Sequence, residues 1–211
     1  MINLNNICYQ YGKNGDVITG ISYHFCKGYL YLVRGENGVG KTTLVRIMLG
    51  LLPPRSGSVE MSKKNIVSYL PDDNGIYDNL SVIQNIRFRL GLYNTPYKQM
   101  KNEVERRLKQ FGIFEYRDRL VNTLSYGTKK KVAIICASIV PADLLVFDEP
   151  TNGLDLLAVN EFRKLLLELL DNRRTIICVS HDLQVPDKCP HQELSLSRTK
   201  LSNLLSEGDA K

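Results

Sequence analysis

Short apolar runs alternate along this chain with longer amphipathic stretches, and the two lengths predict different elements. Tyr29–Arg34 (YLYLVR), Ile66–Leu70, Leu144–Asp148 and Thr175–Val179 are short, apolar and mostly β-branched or leucine-rich, as strands buried on both faces should be. Lys41–Leu52 (KTTLVRIMLGLL) reads as a helix that Pro53-Pro54 stops. Strand, glycine-rich turn and helix therefore follow one another, and a parallel sheet flanked by helices is the predicted architecture.

From about Asn79 to Lys131 the chain becomes charged and helix-prone. Met100, Val104, Leu108 and Phe111 fall at i, i+4, i+8 and i+11, on one face of a helix whose other faces carry the basic residues. That apolar stripe serves core packing or a binding groove. We expect an inserted helical subdomain over about 78–131 within a single domain of 1–211, since no repeat, low-complexity tract or Ser/Gly linker divides the chain.

Hydrophobic residues at 43% and charged residues at 24% match an ordinary globular protein rather than a disordered or membrane-embedded one. The apolar stretches break before the roughly 18 residues that spanning a bilayer requires. The N-terminus, MINLNNICYQYGKNG, lacks the cationic start, apolar run and cleavage site of a secretory signal, so a cytoplasmic location is expected. Cys8, Cys26, Cys136, Cys178 and Cys189 are odd in number, scattered and free of CxxC pairs, which argues against a disulfide framework and a zinc site. Free thiols, mostly filling the core, are the expectation.

Gly35-Glu36-Asn37-Gly38-Val39-Gly40-Lys41-Thr42-Thr43 satisfies GxxxxGK[ST] and lies between a predicted buried strand and the start of a predicted helix. Glycines let the backbone curl so that several N–H groups point at one phosphate, and the helix N-terminus adds positive potential. Lys41 would bridge the β- and γ-phosphates of ATP, and the Thr42 hydroxyl would bind Mg²⁺. The metal also needs a carboxylate, and the attacking water needs a base. Asp148 and Glu149 supply both at a strand's C-terminal end, where α/β sheets place their ligands.

The formal charge of +6 and pI near 9.0 raise the question of nucleic acid. Between Lys98 and Lys131, ten Lys or Arg stand against four Asp or Glu, so this one segment carries the whole excess. It reads as a solvated helical face, with an anionic membrane surface, ATP phosphates and nucleic acid as the alternatives.

With these motifs in order, the chain resembles an ABC-type nucleotide-binding domain from end to end. After the phosphate loop come Leu124-Ser125-Tyr126-Gly127-Thr128, then the acidic strand leading to Glu149-Pro150-Thr151-Asn152-Gly153-Leu154-Asp155, then Val179-Ser180-His181-Asp182. The resemblance implies an α/β P-loop NTPase fold: a RecA-like, mostly parallel sheet core, an N-terminal antiparallel β portion and an inserted helical subdomain. It implies a head-to-tail dimer with two ATPs between subunits, where Ser125 and Gly127 cap the γ-phosphate held by the opposite subunit. Asp155 would couple the two sites, and His181 would contact the γ-phosphate. Tyr11, thirty positions before Lys41, is similar to the family's adenine-stacking aromatic, with Tyr9 as competitor. Three positions depart from the family pattern: Tyr126 for a glycine, Thr128 for a glutamine, and Asp72 where a glutamine normally reaches Mg²⁺.

The function implied is ATP hydrolysis that powers a membrane permease from the inner face of the cell membrane, as a homodimer or heterodimer, with ATP and Mg²⁺ and without nucleic acid. Two other readings stand beside it. A non-transport ATPase acting on DNA or ribosomes would usually carry coiled-coil inserts, zinc modules or two fused units, none of which is visible. A non-hydrolysing regulatory subunit would explain the altered signature, but Glu149 and His181 speak against it.

Overall fold

The computed structural model describes residues 2–12, 16–181, 191–197 and 199–203. In chain order its elements are β1 (Ile2–Gln10), β2 (Asp16–Phe25), β3 (Leu30–Arg34), α1 (Lys41–Met48), β4 (Ser56–Met61), β5 (Val67–Leu70), α2 (Val82–Leu92) and α3 (Tyr97–Gln110). Beyond two short 3-10 turns follow α4 (Tyr126–Ser138), β6 (Leu144–Asp148), α5 (Leu156–Asp171), β7 (Thr175–Val179), β8 (His191–Leu196) and β9 (Leu201–Asn203).

Six strands form the main sheet in the order β5-β6-β7-β3-β8-β9, parallel except at the β8–β9 edge. A strand's side chains alternate between faces, so a continuous apolar run fills two cores at once. Leu32 of β3, Phe147 of β6 and Cys178 of β7 join one cluster with α4, α5 and the helices of the 78–131 segment. Val33, Val146 and Val179, their neighbours in the chain, join a second cluster with α1 and a three-stranded antiparallel sheet, β2-β1-β4. The parallel core is as the apolar runs predict, and the N-terminal antiparallel portion is as the family resemblance implies.

Boundaries differ in instructive ways. The strands begin at Leu30 and Val67, one residue later than their apolar runs; the Ile66 N–H instead donates to the Asp143 carboxylate at 2.8 Å. The first helix ends at Met48, well before Pro53. Gly50 stops it, at φ +69°, with its N–H donating to the Ile47 carbonyl and the Leu51 N–H to the Arg46 carbonyl. This glycine closure satisfies carbonyls that the last turn would otherwise leave open.

On α3 the stripe lies as expected: Val104, Leu108 and Phe111 are buried and Met100 is partly so. The basic residues do not all lie on solvated faces, however. Arg107 is only 6% exposed and pairs with Glu103 and Glu168, both at 2.8 Å, while Lys130 is fully buried. Cys136 and Cys178 are buried free thiols, but Cys8 and Cys26 are only partly covered, so core filling describes two of the cysteines; Cys189 lies outside the described residues.

Candidate active site

Because β6, β7 and β3 are parallel neighbours, their C-terminal ends open on one edge of the sheet. Glu149 follows β6, Ser180 and His181 follow β7, and the glycine-rich loop follows β3. Residues far apart in sequence thus converge where open α/β sheets bind ligands.

The loop turns through Gly38 (φ +78°) and Gly40 (φ +108°), a region that side chains with a Cβ rarely enter. Gly40 is the N-cap of α1 and brings no side-chain hydrogen bond to the helix, so nothing of its own answers the first-turn N–H groups. Such an end favours an anion. Lys41 donates from Nζ to the carbonyls of Gly35 (2.8 Å) and Glu36 (3.2 Å), which holds its ammonium over the loop. Gly35 backs onto β8 so closely that a Cβ would stand 2.7 Å from the Leu196 carbonyl oxygen.

Two adjacent carboxylates end β6 in different environments. Asp148 is fully buried; its Oδ2 lies 3.5 Å from the Tyr69 hydroxyl, and its Oδ1 has no hydrogen-bond partner among the described residues. Burial pushes its carboxyl above the ordinary value of 3.8; the Thr42 hydroxyl works the other way, and Asp72 and Glu149 add to the rise. Glu149 has φ +47°, uncommon for a residue with a side chain, and its N–H donates to the Val179 carbonyl at 2.8 Å. That turn aims its carboxylate at the loop, with Oε1 3.9 Å from Lys41 Nζ and Oε2 3.1 Å from His181 Nδ1.

Glu149, Lys41 and His181, but not the buried Asp148, line an open cleft of about 510 Å³. Asn37, Gly38, Gly40, Lys41, Thr42 and Thr43 form its floor, and Asp72, Glu149 and His181 its far wall. Tyr11 stands at the rim, half-exposed, with its hydroxyl 3.3 Å from Thr43 Oγ1. Tyr9 meets Tyr11 edge-on at 4.8 Å but packs against the core and does not line the cleft. Gly35, Glu36 and Val39 complete the loop without lining it, and Asp182 lies outside the described residues. Asn152 also lines the cleft. Its place three residues after Glu149 is the signal in the sequence that could have marked it.

Leu124–Thr128 do not line this cleft. Ser125 caps α4, its Oγ accepting from the Thr128 N–H at 3.3 Å and lying 2.9 Å from Thr128 Oγ1. Tyr126 turns toward Gly153, and Gly127 is as close to it: a Cβ on Gly127 would stand 2.6 Å from the Gly153 carbonyl oxygen. Asp155 caps α5; the Ala158 N–H first, and Lys131 Nζ at 3.1 Å after it, hold its carboxyl below the ordinary value.

The ABC transporter family model matches residues 18–152, from β2 through the loop that follows Glu149. The chain belongs to the ABC transporter family. It is similar to the ABC transporter ATP-binding protein NatA of Bacillus subtilis, 32% identical over 178 residues that cover 79% of this chain and 72% of that protein. It also resembles the solved structure of cbiO1 from Clostridium perfringens, described as part of the ABC transporter complex cbiONQ. That likeness has 28% identity and a TM-score of 0.74, with 95% of this chain and 86% of that one covered. A further structure, the ATP binding subunit of an ABC transporter, superposes with a TM-score of 0.86 at 20% identity, over 96% of this chain and 89% of that one, and supports the fold. Within the ABC transporter family this chain is an ATP-binding subunit.

Proposed function

We propose that this subunit binds ATP in the cleft above the glycine-rich loop and hydrolyses it within a dimer that drives a membrane permease. The observation that carries this reading is the Glu149 carboxylate, held between Lys41 Nζ and His181 Nδ1 over that loop. Loop N–H groups and Lys41 hold the β- and γ-phosphates, and Tyr11 offers a face to the adenine, a contact worth about 1–3 kcal/mol. Glu149 takes the proton of the attacking water, and His181 contacts the γ-phosphate.

A hard cation fits the donors present: the Thr42 hydroxyl, the exposed Asp72 carboxylate and buried Asp148, whose Oδ1 is otherwise unanswered. Bound Mg²⁺ would supply positive charge to the β- and γ-phosphates. On this reading Ser125, Tyr126, Gly127 and Thr128 face the nucleotide of a second subunit, identical or related, and Asp155 couples the two sites.

We read 78–131 as an inserted subdomain that receives the permease at the inner face of the membrane, consistent with the transporter complex to which the similar cbiO1 belongs. Among the described residues no helix is long and apolar enough to cross a membrane. Nucleic acid is disfavoured by the internal use of the basic segment. Of its ten cations, Lys101, Arg106, Arg107, Arg117, Lys129 and Lys131 pair with carboxylates, and Lys130 is buried.

Glu149→Gln tests the reading directly. It should keep ATP binding, lose most turnover and trap an ATP-bound dimer visible by light scattering. Turnover at the parental rate would exclude Glu149 as the base.

A further inference from the structure

Arg34 is the last residue of β3 and the one immediately before the glycine-rich loop. It ends an otherwise apolar, buried strand, where a cation needs defined partners. Its guanidinium donates from Nε and Nη2 to the two carboxylate oxygens of Glu193 at 3.2 and 2.9 Å, and from Nη1 to the main-chain carbonyl of His181 at 3.2 Å. Glu193 stands on β8, the strand that pairs with β3 on the side away from β7. The guanidinium thus reaches from β8 across to the segment that follows β7.

That segment is tied from both sides. The Ser180 N–H donates to the Val33 carbonyl at 3.2 Å, and on the opposite flank the Glu149 N–H donates to the Val179 carbonyl at 2.8 Å. The Arg34 contact is the next tie along, and it falls on the main chain of His181, whose imidazole meets Glu149. A fork of donors in fixed geometry suits this double task, with two bonds on the carboxylate and a third on a carbonyl. A flexible ammonium offers a single point and cannot hold both partners in one plane.

We propose that Arg34 is a positioning residue for His181: anchored by Glu193, it fixes the His181 main chain and thereby the approach of the imidazole to Glu149 and the phosphate site. This rests on the reading that His181 acts on the nucleotide. The hydroxyl and carboxylate donors of the metal site are untouched by it, so ATP binding should be spared and the hydrolytic step should suffer.

The test is a double-mutant cycle on steady-state ATP hydrolysis, with thermal midpoints measured alongside. Arg34→Met should lower kcat by about ten- to a hundredfold with little change in KM, as a small misplacement of a reacting group does. Arg34→Lys should recover only part of the loss. In a His181→Ala background, Arg34→Met should cost nothing further, because the residue it positions is gone. An equal loss in both backgrounds, or parental kcat for Arg34→Met, overturns the proposal. Parental hydrolysis by His181→Ala alone would instead overturn the site reading on which the proposal stands, and so would be told apart.

Discussion

Tyr126 closes over Gly153 so tightly that a Cβ on the glycine would stand 2.4 Å from the tyrosine Cδ1. The aromatic ring that replaces the family's glycine therefore turns toward the loop after β6, and the absence of a side chain at Gly153 is what admits it. Gly153 also has φ +76°, so Gly153→Ala meets both a steric clash and backbone strain. It should destabilise the protein by about 1–3 kcal/mol in denaturant titration. Adding Tyr126→Gly removes the clash and leaves only the strain, so the double variant should recover part of that loss. Additive losses would show that the ring does not rest on Gly153.

Asp148 gives a prediction of opposite sign. Its carboxyl is raised above 3.8 by burial first, so the unfolded chain ionises more readily than the folded one. Folded stability from this group therefore falls as pH rises from the ordinary value through the raised one, and stays lower at neutral pH. Asp148→Asn removes that penalty. Without nucleotide or metal, its thermal midpoint at pH 7 should exceed the parent's, and the difference should shrink in acid. Mg²⁺-dependent ATP hydrolysis should be lost in the same variant. Equal midpoints at every pH would remove burial of the charge as a cost.

What could be read along the chain, and what could not, divides by the reach of the cause. The glycine-rich loop and the Asp148-Glu149 pair are contiguous chemistry: phosphate binding needs small residues and a lysine side by side, and the acids mark a strand end. Gly50 was hidden because it interrupts an apolar run only once, so the conspicuous prolines drew the boundary too late. Burial of Lys130 and Arg107 was not legible, since a cation's exposure depends on which carboxylates and carbonyls the fold brings to it; Lys130 donates to the Asp72 carbonyl from 58 positions away. Nothing in the sequence singles out Arg34, for the same reason. Its partners, His181 and Glu193, arrive through sheet order.

The ion pairs that join α3 to Glu168, half-exposed at Arg106 and nearly buried at Arg107, answer to acid. Arg106 first, against a smaller cost of burial and with help from Arg107, holds Glu168 below its ordinary value of 4.5. A depressed carboxyl contributes stability that is fully present above the unfolded value and is lost as pH falls through the folded one. Glu168→Gln should therefore lower the thermal midpoint at neutral pH, with the difference from the parent closing below about pH 4.5. Arg107 is nearly buried, so part of the neutral-pH loss should persist in high salt, unlike that of an exposed pair. A gap that is constant from neutral pH to well below 4 would contradict the assignment.

Ser125 carries the sharpest test of the proposed dimer, because within one subunit it does nothing more than cap α4 and does not line the cleft. Ser125→Arg removes that cap, at a cost of about 1 kcal/mol, which denaturant titration can measure and a lower assay temperature can offset. ATP binding by the isolated subunit should be nearly unchanged, since Lys41 and the loop are untouched. Hydrolysis should vanish if Ser125 faces the nucleotide of a second subunit, where a long cation would block closure. Mixing then separates action across the interface from a local defect. A dimer of Ser125→Arg with Lys41→Ala subunits holds one site with an intact loop and an intact Ser125, and one site carrying both changes. Activity should reappear in the mixture although each variant alone is inactive. If the mixture stays inactive while both variants are folded and associate, Ser125 does not act in trans; if Ser125→Arg alone hydrolyses ATP normally, the sandwich dimer is wrong for this chain.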